Sequence, residues 1–153
     1  MGIEHKNAPD GERHEPKGIS TAGADQVYVA AGEEGTGSWQ YIDYELSFVV
    51  NNANTVFNSW ISIPYSSKFI KAYAVVNSTF SADQTLTFKI NNVAVTDGVI
   101  ALAHTGAVAG TVFNCTPTAL NSIGAGEAFE ISNGGGSAAT FSITLTLIFE
   151  RVG

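Results

Sequence analysis

The run Phe141-Ser142-Ile143-Thr144-Leu145-Thr146-Leu147-Ile148-Phe149 sets a large apolar residue at alternate positions, with serine or threonine between most of them. Period two is the pattern of a strand with one face buried and the other wetted. A sheet covered on one face needs a second layer packed on it. Phe69-Ile70-Lys71-Ala72-Tyr73-Ala74-Val75-Val76 alternates in the same manner, which gives a second strand of this kind.

Outward from these two runs, β-branched and aromatic residues predict strands over 44–50, 55–63, 69–77, 84–90, 93–96, 99–103, 111–115, 128–132 and 139–150. Asn91-Asn92 separates two of them and predicts a two-residue hairpin, because asparagine tolerates the positive φ that such a turn requires. Asp97-Gly98 marks a further reversal, and Asn133-Gly134-Gly135-Gly136 a later one. No segment sets apolar residues at helical spacing between caps, and the crossover helices of a parallel sheet are missing. The fold class expected is all-β: eight or so short strands at this spacing suggest a β-sandwich, and among sandwiches a jelly roll, over residues 45–153.

Residues 1–44 have a different character. They hold eight acidic and three basic residues, whereas the next 109 hold six and four. Their sizeable apolar side chains, among them Ile3, Val27, Tyr28, Val29, Trp39, Tyr41, Ile42 and Tyr44, are few. Burying one such side chain stabilises by about 1.5–3 kcal/mol. Ordering the backbone costs about 1–2 kcal/mol for every residue. Residues 1–44 therefore read as an extended N-terminal arm that gains order only by lying on its own sandwich, on sister subunits or on another protein, and as the attachment element of the protein.

A chain of 153 residues suits one domain with a core of its own. The formal charge is −7 and lysine and arginine form no cluster, which argues against nucleic acid as a partner. No apolar stretch reaches the roughly 20 residues of a membrane helix. Met1–Lys17 lacks the apolar centre of a secretory signal, so a protein made in the cytoplasm and either used without that export route or released when the cell lyses is expected. Cys115 is the only cysteine, which leaves neither an internal disulfide nor a cysteine zinc site; a small buried hydrophobe is the expectation there.

Residues that could carry chemistry are sparse. Of His5, His14 and His104, only His14-Glu15 places two potential metal ligands side by side, too few for a zinc site. His104 follows the predicted strand 99–103 and reads as a turn residue on the surface or at a subunit contact. Glu127 and Glu130 flank a predicted edge strand, with Glu130 facing away from Phe129 onto a solvated face rather than into a glycosidase site. The loop Gly32-Glu33-Glu34-Gly35-Thr36-Gly37 lacks the lysine of a phosphate-binding loop, and its carboxylates repel phosphate. No catalytic, cofactor or metal residue is assigned, and no enzyme is expected. The aromatic residues Trp39, Tyr41, Tyr44, Trp60, Tyr65, Phe69 and Tyr73 are core and arm root, or else a patch for a partner subunit or a sugar.

The segment His14-Glu15-Pro16-Lys17-Gly18 through Val27-Tyr28-Val29-Ala30 to Gly35-Thr36-Gly37-Ser38-Trp39 resembles the N-terminal segment of structural proteins in tailed-bacteriophage particles. The similarity covers residues 5–41; Glu33 and Glu34 stand in a loop that the pattern keeps small. The resemblance implies a virion protein, of capsid decoration (cement) or head-fibre type. On that reading His14, Pro16, Val27, Tyr28, Val29, Trp39 and Tyr41 contact the major capsid protein and sister subunits, in a homo-oligomer expected to be a trimer on the capsid surface. The alternative is a fibre or host-recognition module whose sandwich binds a glycan through Trp60 or Tyr65.

Overall fold

A computed structural model describes residues 26–30, 37–136 and 139–152. The chain divides into two compact units, with the boundary in sequence between Ile42 and Asp43. The described part of the first is an antiparallel hairpin of β1 (Gln26–Ala30) and β2 (Gly37–Tyr41), in register from Gln26 opposite Tyr41 to Ala30 opposite Gly37. Residues 1–25, which include most of the expected arm and both His14 and Pro16, lie outside the described residues.

The second unit, Asp43–Val152, is a β-sandwich. Its strands are β3 (Asp43–Val50), β4 (Phe57–Ser62), β5 (Ser67–Val76), β6 (Gln84–Ile90), β7 (Val93–Leu102), β8 (Val112–Cys115), β9 (Ser122–Ile123), β10 (Ala128–Asn133) and β11 (Ile143–Arg151). One sheet has the order β3-β11-β5-β8, with β9 also pairing β5, and the other β4-β10-β6-β7. Every pairing is antiparallel.

The alternation that predicts β11 decides its facing. Ile143, Leu145, Leu147 and Phe149 are buried, while Thr144, Thr146, Ile148 and Glu150 are half-buried on the outer face. In β5 strict alternation would set Phe69 on the face opposite Ala72, Ala74 and Val76. A bulge intervenes: Lys71 pairs with Ile148 and Phe69 with Phe149, which leaves Ile70 as the extra residue. Phe69 thereby joins the three smaller residues inside.

Its ring is the centre of the core. Phe69 of the first sheet lies 5.1 Å from Phe88 and 4.8 Å from Phe129 of the second, both edge-on, and 5.4 Å from Phe149 of its own. These four rings are fully buried and join the two layers. Nearer one end, Phe80 and Phe141 stack at 4.6 Å.

The turns show what local chemistry can decide. Asn91 and Asn92 have φ of 50° and 64°, as the two-residue hairpin requires. Asp97-Gly98, expected to reverse the chain, instead lies inside the continuous strand β7. There the pairing with β6 slips from Thr87–Val99 to Lys89–Ala94, so the extra residues of β7 bulge. Thr96 pairs with Ala119, Thr118 Oγ1 donates to Asp97 Oδ2, and a Cβ on Gly98 would meet that of Val95 at 2.7 Å. A reversal signal and a bulge signal share the same residues, because both use a positive φ followed by glycine.

Two expectations about Glu130 are corrected. β10 is an interior strand between β4 and β6, and Glu130 is only 4% exposed. It does face away from Phe129, but its register partners Trp60 and Lys89 flank it, and Lys89 Nζ donates to its carboxylate at 2.9 Å. Glu127 closes a turn by accepting the Gly124 N–H at 2.8 Å.

Candidate binding surfaces

Three surfaces hold the residues that sequence singles out, or that the fold leaves unfinished. The first is the hairpin. Its register sets Tyr28 opposite Trp39, Val27 opposite Gln40, Val29 opposite Ser38 and Gln26 opposite Tyr41. Five expected contact residues, Val27, Tyr28, Val29, Trp39 and Tyr41, are thus brought together on two paired strands. Their sheet has no third strand among the described residues.

The second surface is the outer face of the β4-β10-β6-β7 sheet. Trp60 is 58% exposed there, in one row with the Glu130–Lys89 ion pair. Tyr65, the other residue expected to meet a sugar, is in a different setting. The Arg151 guanidinium lies 3.7 Å from its ring centroid, and Tyr44 meets it edge-on at 6.2 Å. Tyr44 stacks on Phe149 at 5.4 Å, its hydroxyl lies 2.8 Å from Ser67 Oγ, and burial pushes its phenol above the ordinary value. One face of Tyr65 is therefore taken by a cation, whereas among the described residues no ring or cation stacks on Trp60.

The third surface was not read from the sequence. Core-facing residues on most strands are buried, yet Tyr44, Leu46, Phe48 and Val50 of β3 and Phe57 and Ile61 of β4 remain half-buried, as does Phe113 of β8. β3 and β4 are edges of the two sheets, on the same side of the sandwich. A cavity of about 290 Å³ opens between them, lined by uncharged residues that include Phe48, Val50, Phe57, Asn58, Ser59 and Ile131. On the opposite side β7 is tied to the connection between β8 and β9: Thr96 N–H donates to the Ala119 carbonyl at 3.0 Å, and Thr118 N–H to that of Thr96 at 3.1 Å. The alternation Tyr44, Leu46, Phe48, Val50 was the available signal, but only the strand order shows that the strand is an edge.

Two side-chain pairs of titratable groups are joined by short contacts, Lys89 with Glu130 and His104 with Asp83. His104 donates its backbone N–H to Asp83 Oδ1 at 2.9 Å, and its Nδ1 lies 2.6 Å from the same oxygen. The backbone bond first, and the ring second, hold the Asp83 carboxyl below its ordinary value. The pair is exposed and ties the start of β6 to the end of β7. Cys115 is buried, and desolvation pushes its thiol up to about 11. Among the described residues, no three His, Cys, Asp or Glu side chains gather where a metal ion could be held. Compared with protein-family models and with curated proteins, the chain matches none.

Proposed function

We propose that this chain is a structural protein of a tailed-phage particle, a capsid decoration protein that stabilises the shell. Its N-terminal segment binds major capsid subunits and its sandwich assembles with sister copies, in a trimer, on the capsid surface. The observation that carries the proposal is the hairpin, which sets Tyr28, Trp39, Tyr41 and the Val27–Val29 run on two paired strands, the two that the described residues of the first unit form. An isolated two-stranded hairpin is marginal in water, and strand addition to a partner's sheet edge supplies what it lacks. A protein that binds assembled lattice and not free subunits stabilises the lattice by mass action.

The sandwich suits this role. Setting aside the two-residue β9, one sheet takes the first, eighth, third and sixth strands and the other the second, seventh, fourth and fifth. This interleaving is what two Greek keys produce, and it supports a jelly roll. Removal of residues 1–42 tests the proposal: the remaining sandwich stays soluble and no longer coats capsids, and undiminished coating would refute the role given to the N-terminal segment.

Trp60 favours a second reading, a fibre or host-recognition module. A tryptophan exposed in mid-strand beside hydrogen-bonding groups offers a platform for a sugar ring. Binding on a glycan array that is lost in Trp60→Ala would favour this reading over decoration.

A further inference from the structure

We infer that the outer face of the β3-β11-β5-β8 sheet binds the same face of a second copy of this chain, about a two-fold axis that runs along the strands. Register places the outward residues of this sheet in rows. Val49, Thr144, Val75 and Val112 form one, and Ser47, Thr146, Tyr73 and Asn114 the next, so one end of the face carries no charge. Val49 and Val112, on its two edge strands, are each 54% exposed. The other end is charged: Glu45, Ile148 and Lys71 make the third row, and Asp43, Glu150, Lys68 and Ser122 the last.

The charges select the partner, because their signs divide about the midline of the face. Asp43, Glu45 and Glu150 stand on β3 and β11, and Lys68 and Lys71 on β5. Asp43 and Glu150 are register neighbours of like charge, which is unfavourable on a sheet. Among the described residues the carboxylates held in ion pairs are those of Glu130 and Asp83, not these. A half-turn about an axis along the strands, between β11 and β5, reverses the strand order of the second copy and keeps like ends together. It sets Glu150 of each copy over Lys68 of the other, Glu45 one strand away from the other copy's Lys71, and the row from Val49 to Val112 on its own image. A half-turn about an axis across the strands would lay the charged end on the valines. Packed sheets lie about 10 Å apart, a gap that a lysine and a glutamate bridge from opposite sides. A face complementary to its own image is what an isologous contact requires, and an unrelated partner has no reason to match it. Such a contact joins copies in pairs, so beside the trimer proposed above it links one trimer to the next.

Charge reversal in the full-length chain tests this by sedimentation velocity over a concentration series, with no capsid present, so its outcome is separate from that of the decoration reading. Lys68→Glu sets two carboxylates against each other at both symmetric contacts, and Glu150→Lys sets two ammonium groups there. Each variant alone is expected to pair about tenfold more weakly than the unaltered chain, or worse. An equal mixture of the two is expected to regain the heavier species, because each variant then meets the opposite charge on its neighbour. A fault of folding within one chain is not repaired by mixing, so this rescue reads the contact between copies even if either variant melts earlier. Val112→Glu, at an exposed position, is expected to weaken pairing as much with its melting temperature unchanged. The inference is overturned by an unaltered chain that does not self-associate, by single reversals that pair as well as the unaltered chain, by a mixture no heavier than its components, or by undiminished pairing of Val112→Glu.

Discussion

Lys89 and Glu130 lie directly opposite one another on β6 and β10, with Nζ and Oε1 2.9 Å apart, although the carboxylate is almost wholly buried. Removing the cation leaves a buried charge without its partner, and breaking such a pair costs more than the pair itself contributes. Lys89→Met should destabilise the sandwich by about 2–3 kcal/mol, less than for a fully buried pair because Lys89 keeps 30% of its side-chain surface. Adding Glu130→Gln should recover most of the loss. A double-mutant cycle from urea unfolding measures the coupling, and additive effects would show that the pair acts as two separate surface groups.

The two layers meet through Phe69, Phe88, Phe129 and Phe149. Phe129→Ala should cost about 3–5 kcal/mol, since the ring is wholly buried and its neighbours come from both sheets. A loss below 1 kcal/mol in denaturant unfolding would mean that the rings do not pack as described.

Gly98 sits in the β7 bulge where an added methyl collides with Val95. Gly98→Ala should destabilise by about 1–3 kcal/mol through overpacking. Gly134→Ala is the comparison, because a Cβ there meets nothing within 4 Å. Equal melting temperatures for the two variants would contradict the close approach at Gly98.

The two His104 bonds favour the ionised form of Asp83, so in the folded chain its carboxyl holds its proton only at lower pH than when unfolded. The resulting contribution is complete above the ordinary value of 3.8 and fades as pH falls through the lower folded value. Carboxyl carbon shifts followed by NMR should place Asp83 below 3.8 in the native chain. His104→Ala keeps the backbone donor and should move the titration only part of the way back. Full return to the ordinary value would show that the ring and not the main chain holds the carboxylate.

Much of the sandwich was legible because its signals are local. The alternation of Ile143, Leu145, Leu147 and Phe149 sets the facing of β11, and Asn91-Asn92 sets a turn through backbone preference alone. What escaped is decided between strands. Ile70 becomes a bulge only through the pairing of β5 with β11, and Glu130 is buried only because Trp60 and Lys89 stand beside it. β9 is two residues long and is held by its pairing to β5 next to Asn121, whose Nδ2 donates to the Phe69 carbonyl at 2.8 Å. The hairpin strands Gln26–Ala30 and Gly37–Tyr41 bring together five residues singled out from sequence, whereas the cleft between β3 and β4 requires the order of strands, which no single segment encodes.

The role proposed for this chain is to coat a capsid. Its copy number relative to the major capsid protein in purified particles, obtained from quantitative gel or mass-spectrometric intensities, tests that most directly. Decoration predicts about one copy for each capsid subunit, in multiples of the oligomer. A few copies confined to one vertex or to the tail, or none, would contradict it.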